Sequence, residues 1–116
     1  MPTILLVDDE PEFRDVMATI VARAGHKVLA AADGYEGVRV LSEHWVDLLI
    51  TDVRMPGVDG LQLARQAKVM RPNIRIIYIS GFETGLGPDA GPTYGPVLAK
   101  PIEPPDLLAK IGHALA

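Results

Sequence analysis

A chain of 116 residues is long enough for one domain, with a core that removes about two-thirds of the unfolded chain's surface from water. Its net charge of −4, from 11 basic and 15 acidic side chains, leaves no basic stripe to neutralise phosphates, which argues against nucleic-acid binding by the domain itself. There is no Cys, hence no disulfide or thiolate chemistry, and no apolar run approaches the roughly 18 residues of a membrane span, so a cytoplasmic protein without membrane contact is expected.

The β-branched and Leu-rich run Thr3–Val7 predicts a first strand, which stops at Asp8-Asp9-Glu10. Pro11 suits the first turn of a helix. Phe13, Val16, Met17, Ile20, Val21 and Ala24 then mark one helical face, and Gly25 is placed to end it. Lys27–Ala32 predicts a second strand. Asp33 reads as the N-cap of a helix running to about His44, with Glu36 completing a capping box and Tyr35, Val38 and Leu41 inward.

Asp47–Asp52 predicts a third strand, apolar enough to be covered on both faces. Met55-Pro56-Gly57 punctuates the loop after it, and Asp59 reads as the N-cap of a helix over Leu61–Met70, with Leu61, Ala64, Ala67 and Met70 on its inner face. Ile74–Ile79 predicts a fourth strand ending at Ser80. Val97–Ala99 predicts a fifth, ending at Lys100-Pro101, and Pro104-Pro105 opens a last helix with Leu107, Leu108, Ile111 and Leu115 inward. Trp45 is expected to cover the core's edge near the third strand. His26, His44 and His113 are scattered and form no metal set.

Five strands alternating with helices imply a doubly wound α/β domain spanning 1–116, its parallel sheet flanked by helices on both faces. In such a sheet the carboxyl ends of all strands share one edge, where ligands bind. Asp8 and Asp9, Asp52, Ser80 and Lys100 therefore meet there. Three carboxylates at one place need a cation, and hard oxygen donors with few protein ligands suit Mg²⁺. Asp9 and Asp52 are the expected direct ligands, with Asp8 nearby or acting through water and the backbone carbonyl of Arg54 completing the set. Mg²⁺ and Lys100 would neutralise a transferring phosphoryl group, Asp52 would accept it, and Ser80 would hydrogen-bond one of its oxygens beside the open space at Gly81.

Together, Asp8-Asp9, the Asp52-x-x-Met55-Pro56-x-x-Asp59-Gly60 run, Ser80-Gly81 and Lys100-Pro101 resemble the receiver domain of a two-component response regulator over the whole chain. The resemblance implies a flavodoxin-like sheet of order 2-1-3-4-5. It implies Mg²⁺-dependent transfer from a phosphohistidine on a histidine kinase or phosphotransfer protein to Asp52, slow self-dephosphorylation, and a cis peptide between Lys100 and Pro101. A phospho-accepting signalling domain of this kind is not an enzyme in its own right, and a monomer or weak homodimer is expected, either a stand-alone receiver or a fragment of a longer regulator.

Two features depart from the family pattern. Val97 stands three residues before Lys100, where receivers commonly carry an aromatic that swings inward with the hydroxyl, here Ser80, during switching. The stretch Gly81–Pro96 holds 5 of the 11 Gly and 3 of the 10 Pro, where the family places its fourth helix. At about 1 kcal/mol per interior Gly and 3 per Pro, that helix is expected to be short or replaced by a loop. Two other functions compete. One is a receiver-like interaction domain that is never phosphorylated. The other is a small aspartyl-nucleophile phosphohydrolase, whose acids would be Asp8 and Glu10.

Overall fold

The computed structural model of the protein describes residues 1–81 and 93–116. In chain order these form β1 (Thr3–Val7), α1 (Pro11–Arg23), β2 (Lys27–Ala31), α2 (Gly34–Glu43), β3 (Leu48–Asp52), α3 (Gly60–Met70), β4 (Arg75–Ser80), β5 (Val97–Ala99) and α4 (Pro104–Leu115). The five strands form one parallel sheet in the order β2-β1-β3-β4-β5. The expectation of a short or missing helix in the Gly/Pro-rich stretch falls on residues 82–92, outside the described part. No helix among the described residues is long and apolar enough to cross a membrane.

The sheet has helices on both faces, and each face has its own core. Leu5, Val7, Leu49, Ile76 and Tyr78 point one way and pack with Leu41 of α2 and Leu63, Ala64 and Ala67 of α3. Ile4, Leu6, Leu48, Ile50, Ile77 and Ile79 point the other way, against Met17 and Val21 of α1 and Leu107 and Ile111 of α4. Every residue of β3 is buried. That is why its sequence reads as a continuous apolar run rather than an alternation.

The helices depart from expectation in their details. Tyr35 is exposed, not inward; Gly34, Gly37 and Leu41 form the buried face of α2. A Cβ at Gly37 would sit 3.1 Å from Leu63 Cδ2 and 3.3 Å from Val7 Cγ2, so the helix approaches the sheet through its glycines. The ring of Tyr35 instead lies over the turn at Gly57, where a Cβ would be 2.7 Å from Tyr35 Cε2. Val16 and Ala24 are likewise exposed, and Leu63, rather than Leu61, is fully buried on α3. Asp33 caps α2 by accepting from the Glu36 N–H at 2.8 Å, and Asp59 and Gln62 form a reciprocal capping box at the start of α3.

Trp45 does not cover the core. It is 66% exposed at the amino end of β3, donates to Asp47 Oδ1 at 3.1 Å and carries the Arg71 guanidinium 5.1 Å from its ring centre. Asp47 directly precedes β3, and its Oδ2 accepts from the Thr3 N–H at 2.8 Å, tying the amino ends of β1 and β3 together.

Candidate functional site

The register of the sheet sets the site. Asp52 is the last residue of β3 and pairs with Ile79, so Ser80 reaches one residue further along β4 and lies opposite Ala99 of β5. Lys100 follows directly, its N–H donating to the Ser80 carbonyl at 2.8 Å, and the Lys100–Pro101 peptide is cis. Asp8 continues β1 and donates its N–H to the Ala31 carbonyl of β2 at 3.2 Å. Asp8 is fully buried, Asp52 is 6% exposed and Ser80 1%.

The loop after β3 folds back over the strand's end. Gly60 N–H donates to the Val53 carbonyl at 2.9 Å, and Val53 N–H to the Ile79 carbonyl at 3.0 Å. The backbone at Gly60 comes so close to the Asp52 carbonyl that a Cβ would collide with it. Thr51 donates its hydroxyl to that same carbonyl at 2.9 Å. The main chain around Asp52 is therefore fixed, and only its carboxylate faces the cleft.

Lys100 Nζ is the positive centre. It lies 2.9 Å from Glu10 Oε1, 3.4 Å from Asp8 Oδ2 and 3.5 Å from Asp52 Oδ2, with the Phe13 ring centre 4.4 Å away. Burial by itself would lower the Lys100 pKa. The hydrogen bond to Glu10 and the charges of Asp52, Asp8 and Glu10 together outweigh it, and the ammonium is held above its ordinary value. Burial raises both Asp8 and Asp52 above the ordinary 3.8. Lys100 pulls each back, as does the Glu10 N–H on Asp8, while the charges of Asp8 and Asp9 push Asp52 further up.

Asp8, Glu10 and Asp52 each bring one carboxylate oxygen within 4.8 Å of the others. Asp8 Oδ1 accepts the Glu10 N–H at 2.8 Å, but Asp8 Oδ2 is buried and accepts no hydrogen bond among the described residues. A buried anionic oxygen that accepts no hydrogen bond and faces only the Lys100 ammonium at 3.4 Å among the described contacts, beside two more carboxylates, fits a hard divalent cation that takes few protein ligands. Asp9, expected as a direct ligand, is exposed and stands outside this trio, although its charge reaches Asp52. Asp8 is buried just past the end of β1, whereas Asp9 lies exposed in the bend that leads into α1. In the sequence, Glu10 entered only the phosphohydrolase alternative, two residues from Asp8, and not the phospho-acceptor site.

Arg54 is exposed two residues past Asp52. Val97 is half-buried against the α2–α3 core and pairs with Tyr78. Tyr78 is fully buried and its hydroxyl accepts from the Tyr94 N–H at 3.3 Å. No histidine joins the carboxylate trio; His26 is half-buried, and His44 and His113 are exposed.

The chain belongs to the response regulator receiver domain family, whose model matches residues 4–112. The response regulator receiver protein CpdR of Brucella abortus is 35% identical over 99% of this chain and 98% of its own length. The chain spans much less of other relatives, for example 26% of the transcriptional regulatory protein GlrR of Escherichia coli, at 35% identity over 97% of this chain. Among solved structures, the receiver domain of the hybrid histidine kinase CckA superposes with a TM-score of 0.85 at 35% identity, covering 98% of this chain and 99% of that one. The response regulator TrrA of Thermotoga maritima, solved with Mg²⁺ and BeF, gives 0.90 at 25% identity, covering 99% and 100%. A complex of TrrA with the histidine kinase ThkA has also been solved, with a TM-score of 0.89 at 25% identity and full coverage of both chains.

Proposed function

We propose that this domain accepts a phosphoryl group on Asp52 from a histidine kinase or a histidine phosphotransfer protein, with Mg²⁺ as cofactor, and loses it slowly by its own assisted hydrolysis. The observation that carries this reading is the convergence of two buried carboxylates, Asp52 Oδ2 at 3.5 Å and Asp8 Oδ2 at 3.4 Å, on Lys100 Nζ at the carboxyl edge of the sheet. A structural role has no need of three acids converging on one ammonium at a sheet edge.

Asp8, Asp9 and Asp52 would hold the metal, directly or through water, with the Arg54 carbonyl completing the set. Bound there, Mg²⁺ would offset the charge of the three equatorial phosphoryl oxygens. A carboxylate oxygen of Asp52 forms the new P–O bond as the P–N bond of the phosphohistidine breaks. The electron pair of that bond leaves on the imidazole, which takes a proton from solvent. Lys100 donates to a phosphoryl oxygen, and Ser80 offers its hydroxyl to another. The buried main chain of β3 keeps Asp52 in line throughout. Ser80 and Val97 are the expected switch positions, read out on the face of β4 and β5. TrrA, with its BeF and kinase complexes, supports both the chemistry and the class of partner.

The test is intact mass after incubation with Mg²⁺ and acetyl phosphate. Wild type should gain one phosphoryl group, only with Mg²⁺, and Asp52→Asn should gain none. An adduct that persists in Asp52→Asn but disappears in Asp8→Asn would transfer the nucleophile's role to Asp8. No adduct in any form would leave an interaction domain.

A further inference from the structure

We propose that Glu10 is a built-in rival of the phosphoryl group for Lys100. This rests on the reading of Asp52 as phospho-acceptor. Glu10 occupies the N-cap position of α1, yet its side chain makes no capping hydrogen bond. Its carboxylate reaches instead to Lys100, 90 residues away in sequence, at 2.9 Å. That is the shortest of the three carboxylate contacts to Nζ, and the others, at 3.4 and 3.5 Å, come from buried acids at fixed strand ends. Glu10 differs from both: its side chain is 65% exposed, against 0% for Asp8 and 8% for Asp52. It is the one partner of the three that can swing away into water.

The resting ammonium is thus held on the α1 side of the cleft, between Glu10 and the ring of Phe13. A phosphoryl group arriving on Asp52 brings anionic oxygens that need the same N–H donors. Glu10 opposes that handover twice, by keeping its own hydrogen bond and by repelling the incoming charge. Phe13 keeps Lys100 near the site when Glu10 lets go. Glu10 is therefore a positioning residue that sets how tightly the phosphorylated state is held, through Lys100.

Two substitutions separate contact from charge. Glu10→Gln removes the charge. Glu10→Asp keeps the charge on an arm one methylene shorter, which no longer reaches Nζ. Fluoroberyllate affinity is measured by calorimetry at saturating Mg²⁺. Both variants should bind it more tightly than wild type by up to about fivefold, the range an exposed ion pair commands. In the metal-free protein, the ¹⁵N resonance of the Lys100 ammonium should move in both. Wild-type affinity in Glu10→Asp would mean that Glu10 acts by charge alone, and weaker binding in Glu10→Gln would make it a helper of the cation; either overturns the proposal. Equal affinity in all three proteins sinks the role of Glu10 and leaves Asp52 as acceptor. If wild type binds no fluoroberyllate, the phospho-acceptor reading falls too, and the ammonium resonance alone reports whether Glu10 holds Lys100.

Discussion

At Asp8 and Asp52, burial outweighs the attraction of Lys100, so both carboxyl groups hold their protons above the ordinary 3.8. The consequence for stability has a definite sign. Above pH 3.8 the folded protein binds protons that the unfolded chain has released. Stability from these two groups is therefore greatest at acid pH and falls as pH rises through their raised values. Lys100, also raised, has the same sign in a higher window: its contribution is full below 10.5 and is lost as pH rises from there through its raised value. At pH 7 without metal, the pair Asp8 and Asp52 costs the fold free energy. Asp52→Asn should then raise the melting temperature of the metal-free protein at pH 7. Mg²⁺ should raise it in wild type, with a gain that shrinks towards pH 4; a lower melting temperature for metal-free Asp52→Asn would mean that the Lys100 attraction dominates instead. The acids, the hydroxyl and the lysine were legible as single letters because each ends a recognisable strand. Which of Asp8 and Asp9 is buried was not, since two adjacent acids read alike in the sequence and only the bend after β1 separates them. Glu10 entered only the phosphohydrolase alternative, because the lysine it contacts lies 90 residues off in sequence.

At the scale of elements, the turn from β3 into α3 decides where Asp52 sits. Asp59 was readable as a cap from local chemistry, and the reciprocal bonds with Gln62 are there. The need for Gly at 60 was not readable, because it arises from the approach of a distant backbone, that of Asp52. Gly60→Ala should cost about 1–3 kcal/mol in chemical denaturation, as an overpacked site does, and should also slow phosphorylation by displacing Asp52. Asp59→Ala should cost about 1 kcal/mol, the loss of one cap, with phosphorylation much less affected. Equal effects of the two on phosphorylation would deny the Gly60 contact its positioning role. The misplacement of Tyr35 has a related origin. Inward positions on α2 are taken by Gly34 and Gly37, which carry no apolar signal, so the periodicity pointed to the nearest large side chain. Tyr35 covers the loop at Gly57 instead.

For the whole molecule, the parallel α/β architecture followed from alternation and from the doubly buried runs of β1, β3 and β4, whereas the strand order came from the family resemblance. A residue covered on both faces has few alternatives to a Val, Leu or Ile, and that constraint is visible in the letters. Edge elements are less constrained, and Trp45 was the principal misreading among them. It lies at the amino end of β3, while Asp52 lies at the carboxyl end. Five residues of strand put about 16 Å of packed β-structure between them. Trp45 is the chain's single tryptophan, and its indole emission therefore reads the far pole of the domain. Mg²⁺ binding beside Asp8 and Asp52 should leave that emission unchanged. A shift in intensity or wavelength on phosphorylation would instead record movement carried the length of β3 to the Arg71 stacking pair, which turns an ill-placed optical probe of metal binding into a selective gauge of long-range transmission.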